Sequence, residues 1–190
     1  MHRINYGKEN HMGLFNFVKC KIRGENTTEE LIKLGMVVGN NFHRMGGVWI
    51  DYSHCWLIEI RDNVTLAPGV RLIAHDASTK MLLGYAKIGK IIIGNNVFIG
   101  AGTTILPNVH IGNDVIIGAG SVVTSDIPEG TVAAGNPAKE ICSLSDYVKK
   151  EKERMSHSRV FDNSYTLRGG VDNKKKEKMK TVIEEIAFIE

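Results

Sequence analysis

IGNNVF IGAGTT ILPNVH IGNDVI IGAGSV VTSDIP, residues 93–128, places an aliphatic side chain at every sixth position: Ile93, Ile99, Ile105, Ile111, Ile117 and Val123. Four positions after each comes a small or β-branched residue, Val97, Thr103, Val109, Val115, Ser121 and Ile127, and the second position is Gly in four of the six hexads. An amphipathic helix returns its apolar stripe every three or four residues, so a period of six excludes one. It fits a short strand and a turn, repeated. Three such units make one coil, and each aliphatic side chain then stacks on its counterpart eighteen residues away. Gly and Asn are expected at turn positions that need positive φ. One coil alone buries little, so the stack makes the core.

The same phase is read upstream through Leu72, Leu66 and Ile60 back to Val48, with IRDNVT and LAPGVR as complete units and His54 as a polar exception in the inward column. From Leu72 to Ile93 the step is twenty-one, not a multiple of six. Residues 73–92 must therefore include a segment extruded from the coil. Three domains follow: an N-terminal helical segment, residues 1–36, in which Asn26 or Thr27 caps a short helix ending at Gly35; the coil, residues 37–141; and a C-terminal helical extension, residues 142–190. In that extension Met179, Val182, Ile183, Ile186 and Ile189 are expected on one helix face, buried against the coil or a neighbouring subunit.

With 190 residues the chain can bury one substantial core, and its formal charge of +3, with Lys and Glu interspersed in the tail, gives no support to nucleic-acid binding. No apolar stretch approaches the roughly twenty residues that cross a bilayer, and no secretory leader pattern opens the chain, so the expectation is a cytoplasmic protein without membrane insertion. Cys20, Cys55 and Cys142 are odd in number and lack metal-ligand spacing, which suits packing residues in a reducing compartment.

Across residues 37–141 the hexads resemble those of the hexapeptide-repeat acyltransferases. The resemblance implies an all-β fold, a left-handed parallel β-helix, and assembly as a homotrimer with active sites between subunits. The handedness comes from the resemblance alone, since parallel crossovers elsewhere are right-handed. In the sugar O-acetyltransferase branch, which includes maltose, galactoside and capsular-polysaccharide enzymes, a histidine preceding an extruded loop is the catalytic base. His75, in LIAHDASTKMLLGYAKIGK, matches it. A sugar hydroxyl is a poor nucleophile, and a neutral imidazole can take its proton as the oxygen attacks a thioester. Asp76 either orients that imidazole or merely serves the turn, and Glu59, about one eighteen-residue coil below Ala77, competes for the orienting role.

The cosubstrate implied by the resemblance is acetyl-coenzyme A. Ala101 and Ala119 are eighteen residues apart and stack at one corner, leaving a groove for the pantetheine arm; they and the Thr124 and Ser125 pair match family contacts to the coenzyme. Lys139, in AAGNPAK, matches a basic residue that meets the nucleotide phosphates, whereas Ser125 stands where these enzymes often carry lysine. Around the acceptor, GVWIDYSHCWLIEI supplies Asp51, His54 and Trp56 as substrate-binding candidates, although the inward phase of His54 favours a core histidine bonded to the backbone; the family's acceptor asparagine has no clear equivalent.

The resemblance thus implies direct transfer of acetyl to a hydroxyl of a sugar or glycan precursor, with no metal required. An amino-sugar N-acetyltransferase is the alternative within the family; serine acetyltransferase is further off for want of its large helical N-terminal domain. Two other classes differ in kind. A zinc hydratase like the gamma-class carbonic anhydrases needs three ligands, and the coil offers only the widely spaced His75 and His110. A non-catalytic scaffold leaves His75, the extruded loop and AAGNPAK without a role.

Overall fold

The computed structural model describes residues 26–190. Cys20 and the first 25 residues of the N-terminal segment lie outside them. A short helix, α1 (Thr28–Lys33), opens the described chain with a capping box: the Thr27 hydroxyl accepts from Glu30 N, and Glu30 accepts from Thr27 N. Its Leu31 is fully buried in the core.

Short strands then rotate over three parallel sheets, the last returning directly to the second. The first sheet holds β1 (Val37–Val38), β4 (Ile58–Ile60), β9 (Ile91–Ile93) and β12 (Val109–Ile111). The second holds β2 (His43–Arg44), β5 (Thr65–Leu66), β10 (Phe98–Ile99), β13 (Ile116–Ile117) and β15 (Thr131–Gly135). The third holds β3 (Trp49–Ile50), β6 (Arg71–Leu72), β11 (Thr104–Ile105) and β14 (Val122–Val123). Ile99 pairs with Ile117 and Ile105 with Val123, the expected step of eighteen. Inside, Ile60, Leu66, Leu72, Ile93, Ile99, Ile105, Ile111, Ile117 and Val123 are at most 1 % exposed, so each strand closes the apolar floor of the next.

The step is not eighteen everywhere, and this corrects the upstream phase. Val37 pairs with Glu59 and Trp49 with Arg71, twenty-two positions on, because a 3₁₀ turn over Tyr52–Leu57 adds four residues. The inward column therefore runs through Val38, Arg44 and Ile50. Val48 is buried, but His54 sits in the added turn and not in that column. Ile58 pairs with Ile91, thirty-three positions on, so the extruded segment adds fifteen. The last coil is shorter, with Ile117 paired to Ala133.

Two different demands place the corner residues. Gly and Asn do occupy the turn positions of positive φ, as expected, but the second-position glycines are not among them; they are needed for room. A Cβ on Gly100 would lie 2.4 Å from Ala119 N, and one on Gly94 would lie 2.6 Å from the Gly112 carbonyl. Positive φ belongs to the fourth position, at Asn96, Gly102, Asn108, Asp114 and Gly120. At the corner between first and second sheets these residues form ladders. Asn41 Nδ2 donates to Asn63, Asn63 Nδ2 to Asn96 and Asn96 Nδ2 to Asp114, each at 2.9–3.0 Å. Beside them run Asn40, Asp62, Asn95, Asn113 and Glu129.

After β15 the chain reverses through Asn136 and Pro137 into β16 (Ala138–Ser143), antiparallel to β15. Of the described residues, 26–144 belong to one compact unit and Ser145–Glu190 make a second. The second contains nearly all of α3 (Leu144–Ser156), the parallel pair β17 (Val160–Phe161) and β18 (Phe188–Ile189), and α4 (Asn173–Val182). Because α4 ends at Val182, Ile186 and Ile189 are not on its face, and Ile189 is a strand residue; the expected single apolar helix face is not formed. Among the described residues no helix is long and apolar enough to cross a membrane.

Candidate active site at the irregular corner

Both insertions leave the coil at the same corner, after third-sheet strands that are direct neighbours. The 3₁₀ turn follows β3 and the extruded segment follows β6, and β3 pairs with β6. Asp51 is the last residue still in register, its N donating to Leu72 O at 3.0 Å. Its side chain is 1 % exposed and accepts four hydrogen bonds. Oδ1 takes Ser53 N at 3.1 Å and Ser53 Oγ at 2.7 Å, the ordinary cap of a turn. Oδ2 takes His75 N at 3.0 Å and pairs with His75 Nδ1 at 2.7 Å.

A carboxylate with both oxygens occupied by donors fixes the tautomer opposite it. Nδ1 of His75 carries the proton, and the Nε2 lone pair is left as acceptor. Burial pushes the Asp51 carboxyl up, but the bonds from His75 and Ser53 and the His75 charge outweigh it, holding Asp51 below its ordinary value. The result is a half-exposed imidazole on a buried, ionised support.

The sequence-expected orienters are placed elsewhere. Asp76 turns away from the imidazole: it caps Ser78 N at 2.8 Å and pairs with Lys87 Nζ at 2.6 Å, and the Lys87 and Ser78 bonds hold its carboxyl down to about 2. Its turn reading holds, because β7 (His75–Asp76) pairs antiparallel with β8 (Lys87–Ile88) and Asp76 with Lys87 clasps the base of the extruded segment. Glu59 bonds Arg61 at 3.1 Å, and its register neighbour is Ile92, so it does not lie beneath Ala77. Asp51, expected to meet substrate, is instead the partner of His75. The sequence signal for it was the Asp-x-Ser cap of the 3₁₀ turn; the four-residue slip that brings it to His75 carries no motif.

His54 is half-buried, with backbone angles that break the 3₁₀ turn, and its ring stands 4.9 Å from that of His75 and 5.3 Å from Trp56. Its Nδ1 bonds Ser53 Oγ at 2.9 Å. Ser53, which sequence reasoning left without a role, thus bridges Asp51 and His54. Trp56 and Tyr52 are more than half exposed beside them. Cys55, in the same turn, is fully buried with Sγ against Leu31 O, and burial pushes its thiol up. Within the extruded segment, α2 (Lys80–Leu83) and its flank leave Met81, Leu82, Leu83, Tyr85 and Ile88 at 60–92 % exposure.

The cofactor candidates fall on two corners. Ala101 and Ala119 stack at the corner between second and third sheets, Gly120 N donating to Ala101 O at 2.8 Å. Ala134 continues beside that column, within 2.7 Å of a Cβ built on Gly118, and pairs with Lys139, which is exposed. Thr124 and Ser125 are exposed at the other edge of the third sheet, the corner that also carries Asp51 and His75. The third sheet's outer face separates the two sets.

Residues 90–125 match the family model described as bacterial transferase hexapeptide (six repeats). Protein CapG of Staphylococcus aureus is 40 % identical over 148 residues, 75 % of this chain and 86 % of that one. The chain belongs to the hexapeptide-repeat transferases. The galactoside O-acetyltransferase of Escherichia coli is 39 % identical over 117 residues; the match covers 57 % of this chain and spans about half, 54 %, of that enzyme. A solved hexapeptide-repeat acetyltransferase of Vibrio cholerae shares the fold of this transferase, with a TM-score of 0.51 at 20 % identity over 68 % of this chain and 88 % of that one.

Proposed function

We propose that this transferase moves an acetyl group from acetyl-coenzyme A to a hydroxyl of a sugar or cell-surface glycan precursor, by direct attack with His75 as general base. One observation carries the reading: the buried Asp51 carboxylate 2.7 Å from His75 Nδ1, which leaves Nε2 free at the half-exposed side of the ring. The acceptor hydroxyl gives its proton to Nε2 as its oxygen attacks the thioester carbonyl, and the imidazolium so formed is stabilised by Asp51. The proton then passes to the departing coenzyme A sulfur. Asp51 is a positioning residue in this scheme, not a sugar contact. The relatives' names support acetyl as the group and a sugar as the acceptor class.

The coil is wound left-handed, as in the family, and the coenzyme lies along the third sheet, its arm against Ala101 and Ala119, its phosphates near Lys139, and its thioester end toward Thr124, Ser125 and His75. Exposed Trp56 offers a ring face to the acceptor, with His54 beside it. The protein works in the cytoplasm, where acetyl-coenzyme A is at hand. Three subunits assemble, with the sites between them, because Met81, Leu82, Leu83 and Tyr85 are too apolar and too exposed to remain in water. Light scattering should give a trimer, and a monodisperse active monomer would remove that part. The reaction itself is tested by coenzyme A release against hexoses, amino sugars, nucleotide sugars and serine. Turnover on hexose hydroxyls is expected; turnover on amino sugars alone would transfer the reading to N-acetylation.

A further inference from the structure

The side chains of Asp51, His54 and His75 come from two adjacent coils, and one nitrogen or oxygen donor from each lies within 4.8 Å of the others. All three converge on a single atom. Ser53 Oγ stands 2.7 Å from Asp51 Oδ1, 2.9 Å from His54 Nδ1 and 3.4 Å from His75 Nδ1. A hydroxyl has one proton, so it serves this trio only by donating to the carboxylate and accepting from the rings. A divalent cation satisfies three lone pairs at once.

We propose that Asp51, His54 and His75 form a binding site for a divalent transition-metal ion, Zn²⁺ by ligand chemistry, and that filling it switches acetyl transfer off. Two imidazoles and one carboxylate with a fourth position open to water is a ligand set that zinc takes in tetrahedral geometry. With bonds of about 2.0–2.2 Å the donors must stand roughly 3.3 Å apart. Asp51 and His75 are already closer than that, at 2.7 Å. That pair must open by roughly half an ångström once the proton between them leaves, and His54, in a surface turn at a backbone kink, must move inward. Magnesium and calcium prefer all-oxygen sets and are poor occupants. The metal takes the Nδ1 position of His75, whose proton is released to solvent or carried on Nε2; in the neutral metal-bound ring the one N–H is on Nε2, so His75 has no lone pair left for the acceptor's proton. The binding half stands on the geometry alone; the switching half rests on His75 as the base.

The experiment uses the full chain stripped of metal. Co²⁺ is titrated in while the visible absorption of a tetrahedral cobalt site is followed, and Zn²⁺ is then titrated by calorimetry. Parent protein is expected to give the band and to lose it to Zn²⁺. His54→Asn and Asp51→Asn should each abolish the band and raise the Zn²⁺ Kd at least about tenfold, since even residues that only support metal ligands are worth about 10–100-fold. His110→Ala, which changes an exposed histidine outside the cluster, should leave both unchanged. The same band and Kd in His54→Asn as in parent would place the ion elsewhere and overturn the site. Transfer is then measured with labelled acetyl, because the free thiol of coenzyme A itself binds zinc, and each protein is compared with its own metal-free rate. Parent should be inhibited by Zn²⁺ and restored by a chelator, while His54→Asn resists inhibition. Cobalt bound at the cluster with transfer undiminished by Zn²⁺ would overturn the switch. If no acceptor supports transfer at all, the failure is of the proposed reaction, and the cobalt band still decides the site.

Discussion

Two corners of the same coil, stacked turn upon turn, have opposite characters. Between the first and second sheets, Asn41, Asn63, Asn96 and Asp114 repeat one backbone conformation and one side-chain bond on successive turns. Between the third and first, no two turns agree: a 3₁₀ turn carrying Asp51, Ser53 and His54, then the extruded segment behind His75, then the short links at Leu106 and Thr124. The repeating corner holds register for the strands on both sides, and that lets the other corner depart from it. Strand bonds resume after four or fifteen added residues because the inward aliphatics on either side still stack. The candidate site sits where repetition stops, since a hexad that recurs identically cannot bring unlike groups together.

Four substitutions probe that contrast, from the largest effect to the smallest. His75→Ala, at the irregular corner, should lower the transfer rate about 100- to 10,000-fold while coenzyme A binding by calorimetry holds. Near-normal turnover would strip the corner of its assigned chemistry. Ile99→Ala, in the regular coil, should do the reverse, costing about 2–5 kcal/mol in denaturant unfolding, because a fully buried side chain leaves a cavity between rigid turns. A cost well under that range would mean that the column is less tightly stacked than its burial shows.

Asp51→Asn joins the two regions, being in ladder register and in the site at once. Loss of a charge-assisted bond of about 1.5–3 kcal/mol should slow transfer roughly 10- to 150-fold. The folded state holds this carboxyl below its ordinary value, so its ionised form adds stability above about pH 4, and that share is lost as pH falls through the lowered folded value. The variant should therefore show a flatter acid limb of stability, and a limb as steep as that of the parent would assign the acid sensitivity to other carboxylates. Last, Ala119→Tyr should raise the KM for acetyl-coenzyme A about tenfold or more by filling the groove, with stability held within about 0.5 kcal/mol because the side chain faces outward. An unchanged KM would move the coenzyme to another face.

The coil was legible in the sequence because its determinant is periodic: eighteen-residue stacking follows from Ile93 to Val123 alone. Capping of α1 by Thr27 and the extrusion of residues near 77–88 were legible for the same kind of reason, a local motif and a broken count. The upstream register was not. Val48 and His54 fall in phase with Ile60 by sixes, yet the Asx cap at Asp51 starts a turn that shifts the count by four, and nothing in the hexads marks it. The partner of His75 was hidden by the same slip: Asp76 is adjacent in sequence, but strand pairing with Lys87 turns its carboxylate outward, whereas Asp51 reaches the ring from the coil below. The C-terminal apolar spacing misled because Ile186 and Ile189 follow the helix, and Ile189 serves a strand.

The asparagine ladder has a direction. Each carboxamide passes its N–H toward the later turn, from Asn41 through Asn63 and Asn96, and the last rung, Asp114, has only oxygens to offer. At the other end the Asn41 oxygen is already bonded to His43 Nε2. One turn later the same corner holds Gly130, whose N donates to Asn113 O, so the side-chain ladder ends one turn before the coil does. Open parallel coils are prone to lengthen into fibres through their unpaired end strands. Here Gly130 leaves the last turn without a side chain at this corner to carry the ladder onward.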